Sequence, residues 1–208
     1  GSYGEYPARH EALRAIECDE MVTSTPAFPE DDVMTYHTLQ WLVFYSWNHG
    51  RLAPVFRYLM DGGTLNPVEL LLGIMRCDSK AFPRVSGLLQ SLRRDLLAVM
   101  YRTPEEMREH YSNNENWQSL LSYVRVELRH NALLYNDPAM YHELVDLIEQ
   151  IVSEVGDGRV LPHLIAYTRE NFVDLRAIAN GAPCPEKRLR LSGSAVRYIT
   201  NANGVNAD

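Results

Sequence analysis

The chain has 208 residues, of which 46% are hydrophobic and 23% charged, so it is long enough and apolar enough for one well-cored domain. Its net charge of -7 argues against general binding to nucleic acid or to anionic membranes, because neutralising phosphates requires lysine and arginine. Three widely separated cysteines, Cys18, Cys77 and Cys184, make a poor disulfide framework and predict a reducing, cytoplasmic location.

The N-terminal part of the chain predicts a lead-in followed by a long helix. Residues 1–2 are typical of a remnant left by tag removal, and residues 3–29 predict an extended lead-in. We expect a helix over residues 30–49, because three acidic residues favour the positive end of its dipole and Gly50 is typical of a helix end. This helix is apolar on most faces, which predicts a place in the centre of a bundle or against a partner.

The next helices are predicted by their first residues. Asn66, Thr103 and Asp137 are each a capping residue followed directly by proline. Further helices are expected over residues 51–61, 82–101, 116–134 and 161–178. The predicted fold is therefore predominantly all-α, a multi-helix, bundle-like domain over residues 30–184.

The C-terminal residues predict a small extended element. Residues 187–191 alternate between charged residues and leucine, and residues 195–199 could form a second strand, so we predict a β-hairpin over residues 185–200. Residues 201–208 predict a disordered tail. A lone hairpin is marginal in water. Its leucine face, Leu189 and Leu191, should therefore be covered by the helical body, by a short strand near residues 21–22, or by a second copy in a homo-oligomer.

Three ring-bearing side chains are candidates for a ligand or interface site. His37, Trp41 and Tyr45 recur at every fourth residue, so they share one stripe of the predicted helix. One interpretation is a polar-tipped aromatic wall that faces a ligand or a partner. The alternative, which we favour, is core packing with the polar ring atoms bonded internally.

A metal site has weak support. Glu127 and His130 form one Glu-x-x-His pair on a predicted helix, whereas di-iron bundles use two such pairs with two more glutamates. The alternative is a solvated helix face. Motifs for iron–sulfur clusters, zinc, dinucleotides, phosphate-binding loops and serine hydrolases do not occur in the sequence, so we predict no catalytic residue here.

A family resemblance covers about a fifth of the chain. It rests on residues 20–25 (Glu-Met-Val-Thr-Ser-Thr), then Phe28, Asp31-Asp32, Trp41, His49-Gly50 and Tyr58-Leu59. This pattern resembles the segment that follows the catalytic barrel in cobalamin-binding radical S-adenosylmethionine enzymes. Those sequences have a short Ser-Thr strand, an acidic helix start, a Trp, a later His, and a second helix ending in Tyr-Leu.

The resemblance implies a position and a role, without chemistry of its own. The chain would be a non-catalytic C-terminal accessory domain that packs on the catalytic barrel of the same parent chain and helps to enclose substrate. Iron–sulfur cluster, S-adenosylmethionine and cobalamin are expected only in the missing part of that parent. The alternatives are a self-contained helical binding or protein-interaction domain, and a metal-dependent helical enzyme that uses Glu127 and His130.

Overall fold

The computed structural model describes residues 24–62, 65–121, 124–153, 158–184 and 186–202. Eleven α-helices occur in these residues: α1 (Glu30–Val43), α2 (Ala53–Gly62), α3 (Pro67–Met75), α4 (Pro83–Ala98), α5 (Pro104–Ser112), α6 (Asn114–Leu121), α7 (Val126–Asn136), α8 (Pro138–Ser153), α9 (Leu161–Glu170), α10 (Leu175–Ala179) and α11 (Gly193–Ala202). A π-helical turn (Phe44–Asn48) directly follows α1. No strand forms in the described ranges, so the all-α prediction is confirmed.

The chain divides into two compact units. Unit 1 comprises Gly1–Tyr36 and Gln90–Arg129, and unit 2 comprises His37–Leu89 and His130–Asp208. Helices α1, α4 and α7 therefore contribute residues to both units. The lead-in predicted for residues 3–29 lies largely outside the described residues, which begin at 24.

Unit 1 has its own small aromatic core. Helices α5 and α6 pack together around Met107, Tyr111 and Trp117, with Tyr101 and Leu120 against them. The predicted capping residue starts α5, since Thr103 Oγ1 accepts a hydrogen bond from the Glu106 amide at 3.1 Å.

Unit 2 is arranged around α2. This short helix contacts α3, α9, α11 and the π-helical turn, and most of its side chains are buried. The helix predicted over residues 30–49 was expected either in a centre of this kind or against a partner. That helix instead leaves one apolar side exposed at its C-terminal end, in Val43, Phe44 and Trp47.

The predicted 30–49 helix changes its geometry near its end. After Val43 the hydrogen bonds widen, and the His49 amide donates to the Phe44 carbonyl at 3.0 Å, which is the i to i+5 pattern of a π-helix. Gly50 then adopts a positive φ of 71°, a conformation that glycine tolerates without a steric penalty. The predicted end at Gly50 is therefore correct, although the last turn is π-helical.

Two predicted helices are each divided in the structure. The 116–134 helix is replaced by α6 and α7, and the 161–178 helix by α9 and α10. The second division has a clear cause. Asp174 has extended backbone angles, and its carboxylate accepts a hydrogen bond from the Ala177 amide at 2.8 Å, which starts a new helix.

The β-hairpin predicted at residues 185–200 is wrong, because residues 186–192 form no strand. Residues 195–199 belong to α11, which begins after Ser192, whose hydroxyl accepts from the Ala195 amide. Ala195 and Ile199 are buried one helical turn apart, so the apolar pattern has the helical period, not the alternation of a strand. Helix α11 also continues through Asn201 and Ala202, where a disordered tail was predicted.

Helix α11 docks on the helical body of unit 2, but the leucine face that was expected to be covered is not, since Leu189 is 39% exposed and Leu191 is half-buried. Helix α11 packs against α2 and α9. The Tyr198 hydroxyl donates to the Asp61 carboxylate at 2.8 Å, and its ring meets Tyr58 edge-on. Before α11, the Lys187 ammonium donates to the Glu170 carbonyl at 2.6 Å.

Candidate functional site

The three predicted ring-bearing residues do not share one environment. Trp41 on α1 is 2% exposed and Tyr45 in the π-helical turn is fully buried, with their rings stacked 6.2 Å apart. His37 is half-buried. Two of the three candidate side chains therefore lie in the interior of unit 2.

Tyr45 leads to a group of polar aromatic residues that the sequence does not bring together. We call Tyr45, His49, Arg51, Tyr135 and Tyr141 the Arg51 cluster. The ring of Tyr135 lies 5.8 Å from that of Tyr45, and the Arg51 guanidinium carbon lies 4.6 Å above the centre of the Tyr135 ring. The Tyr135 hydroxyl shares a 2.7 Å hydrogen bond with Nδ1 of His49. All five residues belong to unit 2.

Three segments position this cluster. The π-helical turn directs Tyr45 inward, and Gly50 then reverses the chain so that Arg51 precedes α2. Tyr135 lies in the last turn of α7, and Tyr141 lies on the buried face of α8. The Tyr141 hydroxyl donates to the Thr168 carbonyl of α9 at 2.5 Å, which fixes its ring.

The Arg51 guanidinium is charged and only partly bonded. One terminal nitrogen, Nη1, donates to the Asn171 carbonyl at 3.4 Å, a long hydrogen bond. The buried Nε has no acceptor among the residues that the structure describes. Among the described residues no carboxylate pairs with Arg51, whereas the nearby Arg169 pairs with Asp146 at 2.6 Å and with Glu149 at 2.9 Å.

Other buried polar atoms of unit 2 also have no hydrogen-bond partner in the described residues. They are the hydroxyls of Tyr45, Ser46 and Thr168, both amide atoms of Asn131, and Nδ1 of His142. Asn131 is 2% exposed and precedes Tyr135 by one helical turn, so the two share a face of α7. A buried polar group without a partner costs free energy, and several such groups in one unit call for an explanation.

The electrostatics of the cluster favour one positive charge at neutral pH. Burial raises the pKa of Tyr45 far above its ordinary value, and burial raises the pKa of Tyr141 to about 12. Burial and the positive charge of Arg51 lower the pKa of His49 below its ordinary value. At neutral pH the hydroxyls of Tyr45 and Tyr141 are therefore protonated and neutral, and the lowered pKa of His49 favours its neutral imidazole.

A second feature lies on the outside of the same turn. Val43, Phe44 and Trp47 are 38–39% exposed although their side chains are large and apolar. Trp47 stacks on Phe56 at 6.2 Å, and the Phe44 ring lies 4.6 Å from the His49 ring. We call Val43, Phe44 and Trp47 the exposed apolar surface.

The weak metal candidates lie on α7. Glu127 is half-buried, and His130 is 2% exposed, so the alternative of a solvated helix face is wrong for His130. In the described ranges no group of three or more histidine, cysteine, aspartate or glutamate residues is placed to hold a metal ion.

Sequence reasoning missed most of the Arg51 cluster. His49 entered only as part of the family resemblance, whereas its imidazole bonds to Tyr135, 86 residues further along the chain. Arg51, Tyr135 and Tyr141 were not singled out. Their sequence positions carry no motif, since only the packing of α7 and α8 beside the π-helical turn brings them together.

Comparison with known protein families, with curated proteins and with solved structures found no match to this chain. A search of the described helices for segments long and apolar enough to cross a membrane also found none.

Proposed function

We propose that this chain is a non-catalytic C-terminal accessory domain of a cobalamin-dependent radical S-adenosylmethionine enzyme. It packs on the catalytic barrel of the same parent chain and helps to enclose substrate in the cytoplasm. The iron–sulfur cluster, S-adenosylmethionine and cobalamin are held by the remainder of that parent.

The exposed apolar surface carries this proposal. Val43, Phe44 and Trp47 lie within the segment that resembles the region after the barrel in those enzymes. Burying large apolar side chains against a partner stabilises an assembly, while leaving them in water forgoes that gain. The π-helical turn supports the same interpretation, because such turns are frequent at functional positions of helices.

The open reading frame of the parent gene tests the assignment to this family. We expect a Cys-x-x-x-Cys-x-x-Cys motif about one barrel length before residue 1, since the cluster needs three converging thiolates. Sequencing the upstream DNA gives the answer. A start codon near residue 1, or an upstream region without this motif, would contradict the proposal.

Hydrogen exchange tests the docking surface. In the full-length enzyme the backbone amides of residues 43–48 should exchange more slowly than in the 208-residue chain, because the barrel covers them. Val43→Glu should abolish that difference by placing a charge in the contact. Met60→Glu is the matched control, because Met60 is also apolar and is 54% exposed but lies on α2 outside the surface. Equal exchange in the two proteins would argue against docking here.

A second candidate is a self-contained helical binding domain. Several buried polar atoms of unit 2, among them Arg51 Nε and the Tyr45 hydroxyl, have no partner among the described residues, and a role in binding is one explanation for such groups. A complete reading frame that encodes only this helical region would select this candidate.

A further inference from the structure

We propose that residues 186–191 bind an acidic, extended segment of a partner protein, which pairs with them as a β-strand. We call residues 186–191 the basic segment. They all belong to this chain, so the inference goes beyond the proposed function and does not depend on a catalytic barrel. Three observations carry it: an open backbone, anchored ends, and positive side chains that alternate along the segment.

The backbone of the basic segment is free to pair. Residues 186–191 contain no helix, turn or bend, and residues 186–190 are all exposed. Within the described part of the chain, their amides and carbonyls make no backbone hydrogen bond. A strand is usually about five or six residues long, and unpaired backbone of this length is a template for pairing with another chain. The basic segment thus offers the donors and acceptors that an added strand requires.

The basic segment is anchored at both ends. Near its start, the Lys187 ammonium donates to the Glu170 carbonyl at 2.6 Å and lies 3.5 Å from the Glu170 carboxylate. Directly after it, the Ser192 hydroxyl accepts from the Ala195 amide at 3.2 Å and begins α11, which packs on α2 and α9. Anchored ends lower the conformational entropy that the segment loses when it pairs.

The side chains of the basic segment select an acidic partner. Successive residues of an extended chain point to opposite faces, so Arg188 and Arg190 share one face, and Leu189 and Leu191 share the other. The Arg188 side chain is 90% exposed and its one ion pair, to Glu186 at 3.7 Å, is long. Arg190 is exposed and has no ion pair among the described residues. Opposite charges on facing strands stabilise a pair, so we expect acidic residues at alternate positions of the partner.

Charge also argues against two other partners. A second copy of this chain would place arginines of the two basic segments close together, and like charges across a strand pair are destabilising. A nucleic acid would meet a chain with a net charge of -7 and a segment without an aromatic side chain for base stacking. We therefore assign the basic segment to an acidic protein segment, and both other partners are outcomes of the test.

A synthetic peptide can test the pairing. The probe is the end-capped peptide Thr-Val-Glu-Val-Glu-Val-Thr, added to the ¹⁵N-labelled 208-residue chain at constant ionic strength. The amide resonances of residues 186–191 should shift saturably. Hydrogen exchange should slow at every second residue of the segment, because alternate amides of a strand point to the same edge.

Backbone methylation of the probe separates strand pairing from charge attraction. Two further peptides carry N-methyl groups on one or the other set of alternate residues, and both keep the full charge of the probe. Only one set of amides can face the basic segment, so one methylated peptide should bind and the other should not. Equal binding of the two peptides would overturn the proposal.

Charge reversal tests the role of the two arginines. The double variant Arg188→Glu with Arg190→Glu should bind the probe about tenfold more weakly, since both facing charge pairs become repulsive. It should instead bind a peptide in which lysine replaces both glutamates. The matched control is Arg94→Glu with Arg108→Glu, whose side chains are 75% and 62% exposed and lie outside the segment. This control changes the net charge equally and should leave the affinity unchanged.

Four other results would overturn the proposal. They are the absence of a saturable shift in residues 186–191, equal affinity of the two double variants, alternating protection without peptide in a chain of doubled mass, and tighter binding of single-stranded oligothymidylate than of the probe. The third would assign the basic segment to a second copy and the fourth to a nucleic acid. The methylated peptides need no substitution, so the test stands even where a variant fails to fold.

Discussion

Tyr45 and Tyr141 are two buried phenols whose hydroxyl groups have different surroundings. The Tyr141 hydroxyl donates to the Thr168 carbonyl, whereas the Tyr45 hydroxyl has no partner in the described part of the chain. Folding therefore removes both hydroxyls from water, but only the Tyr141 hydroxyl gains a hydrogen bond to a described residue in return. This difference can be measured, because replacing tyrosine by phenylalanine removes only the hydroxyl.

We expect the two substitutions to have unequal effects on stability. Tyr141→Phe should destabilise the protein by about 1–3 kcal/mol, since it leaves a buried carbonyl unsatisfied. Tyr45→Phe should be neutral or slightly stabilising, because it removes a buried oxygen that has no hydrogen-bond partner among the described residues. Urea unfolding gives both values. A clear loss of stability in Tyr45→Phe would show that this hydroxyl has a partner.

His49 should titrate below the ordinary histidine range. Burial and the positive charge of Arg51 lower its pKa in the folded state from the ordinary 6.5. The unfolded chain then binds more protons than the folded one around and below pH 6.5, so the contribution of His49 to stability falls as the pH falls through that value and is retained above it.

The pKa of His49 can be followed by nuclear magnetic resonance of its ring protons. The midpoint should lie below 6.5 in the folded protein and should return to the ordinary value in concentrated urea. Arg51→Gln should raise the folded midpoint only in part, because burial is the larger cause. A midpoint at or above 6.5 in the native chain would contradict the environment described for His49.

Among the elements, α5 shows how a local signal sets a helix start. Thr103 has extended backbone angles and caps the Glu106 amide, and the Glu106 carboxylate accepts in return from the Arg102 amide at 2.9 Å. In the standard capping box that return bond goes to the capping residue itself. Here the donor of the return bond is the amide of Arg102, the residue before the cap. The sequence pattern predicted the cap but not this donor.

Loss of this cap should be measurable. Thr103→Ala is expected to destabilise the protein by about 1 kcal/mol, which is about 2–4 °C in Tm for a chain of this size. Thr103→Ser keeps the hydroxyl and should retain most of the stability. Thermal unfolding followed by circular dichroism compares the three proteins. Equal Tm values for the alanine and serine variants would mean that the hydroxyl contributes nothing.

The C-terminal element is held by both apolar and polar contacts. Ala195 and Ile199 are buried, Tyr198 bonds to Asp61, and Lys187 bonds to the Glu170 carbonyl. Deleting residues 186–208 should therefore lower the Tm and expose α2 to solvent. Deleting residues 203–208 alone is the control, since it leaves the described part of α11 intact. An unchanged Tm after the longer deletion would make the segment dispensable.

For the whole molecule, we predict that the isolated chain binds no iron–sulfur cluster. Such clusters need converging thiolates, and the three cysteines are far apart in the sequence. Burial, and to a lesser extent the charge of Glu143, raise the pKa of Cys77, which makes its thiolate scarce. Anaerobic reconstitution followed by iron and sulfide analysis measures the content. A stoichiometric cluster would contradict the prediction.

Local patterns in the sequence were sufficient for the helical class and for most helix starts. Capping residues and the first proline act over three or four positions, so Asn66, Thr103 and Asp137 could be recognised without any tertiary contact. The burial of Trp41 and Leu42, each 2% exposed, is also consistent with an apolar pattern on opposite faces of one helix.

The sequence pattern was ambiguous where an apolar run was short. Residues 195–199 suit a strand or a helix equally well, and α11 forms because Ala195 and Ile199 find a covering surface on α2 and α9. Similarly, the apolar residues of 30–49 predicted a place in the centre of a bundle or against a partner. The π-helical turn instead exposes Val43, Phe44 and Trp47, and that choice depends on what packs beside the turn.

By itself the sequence determined an acidic, helical chain with recognisable helix starts, because composition and capping act locally. Only the tertiary structure could decide the Arg51 cluster. Tyr45, Arg51 and Tyr135 are brought together from separate segments by the packing of α7 and α8 beside the π-helical turn. Whether the Arg51 guanidinium and the Tyr45 hydroxyl find hydrogen-bond partners depends on the groups that the fold places beside them. That question arises only once folding has removed water from these groups.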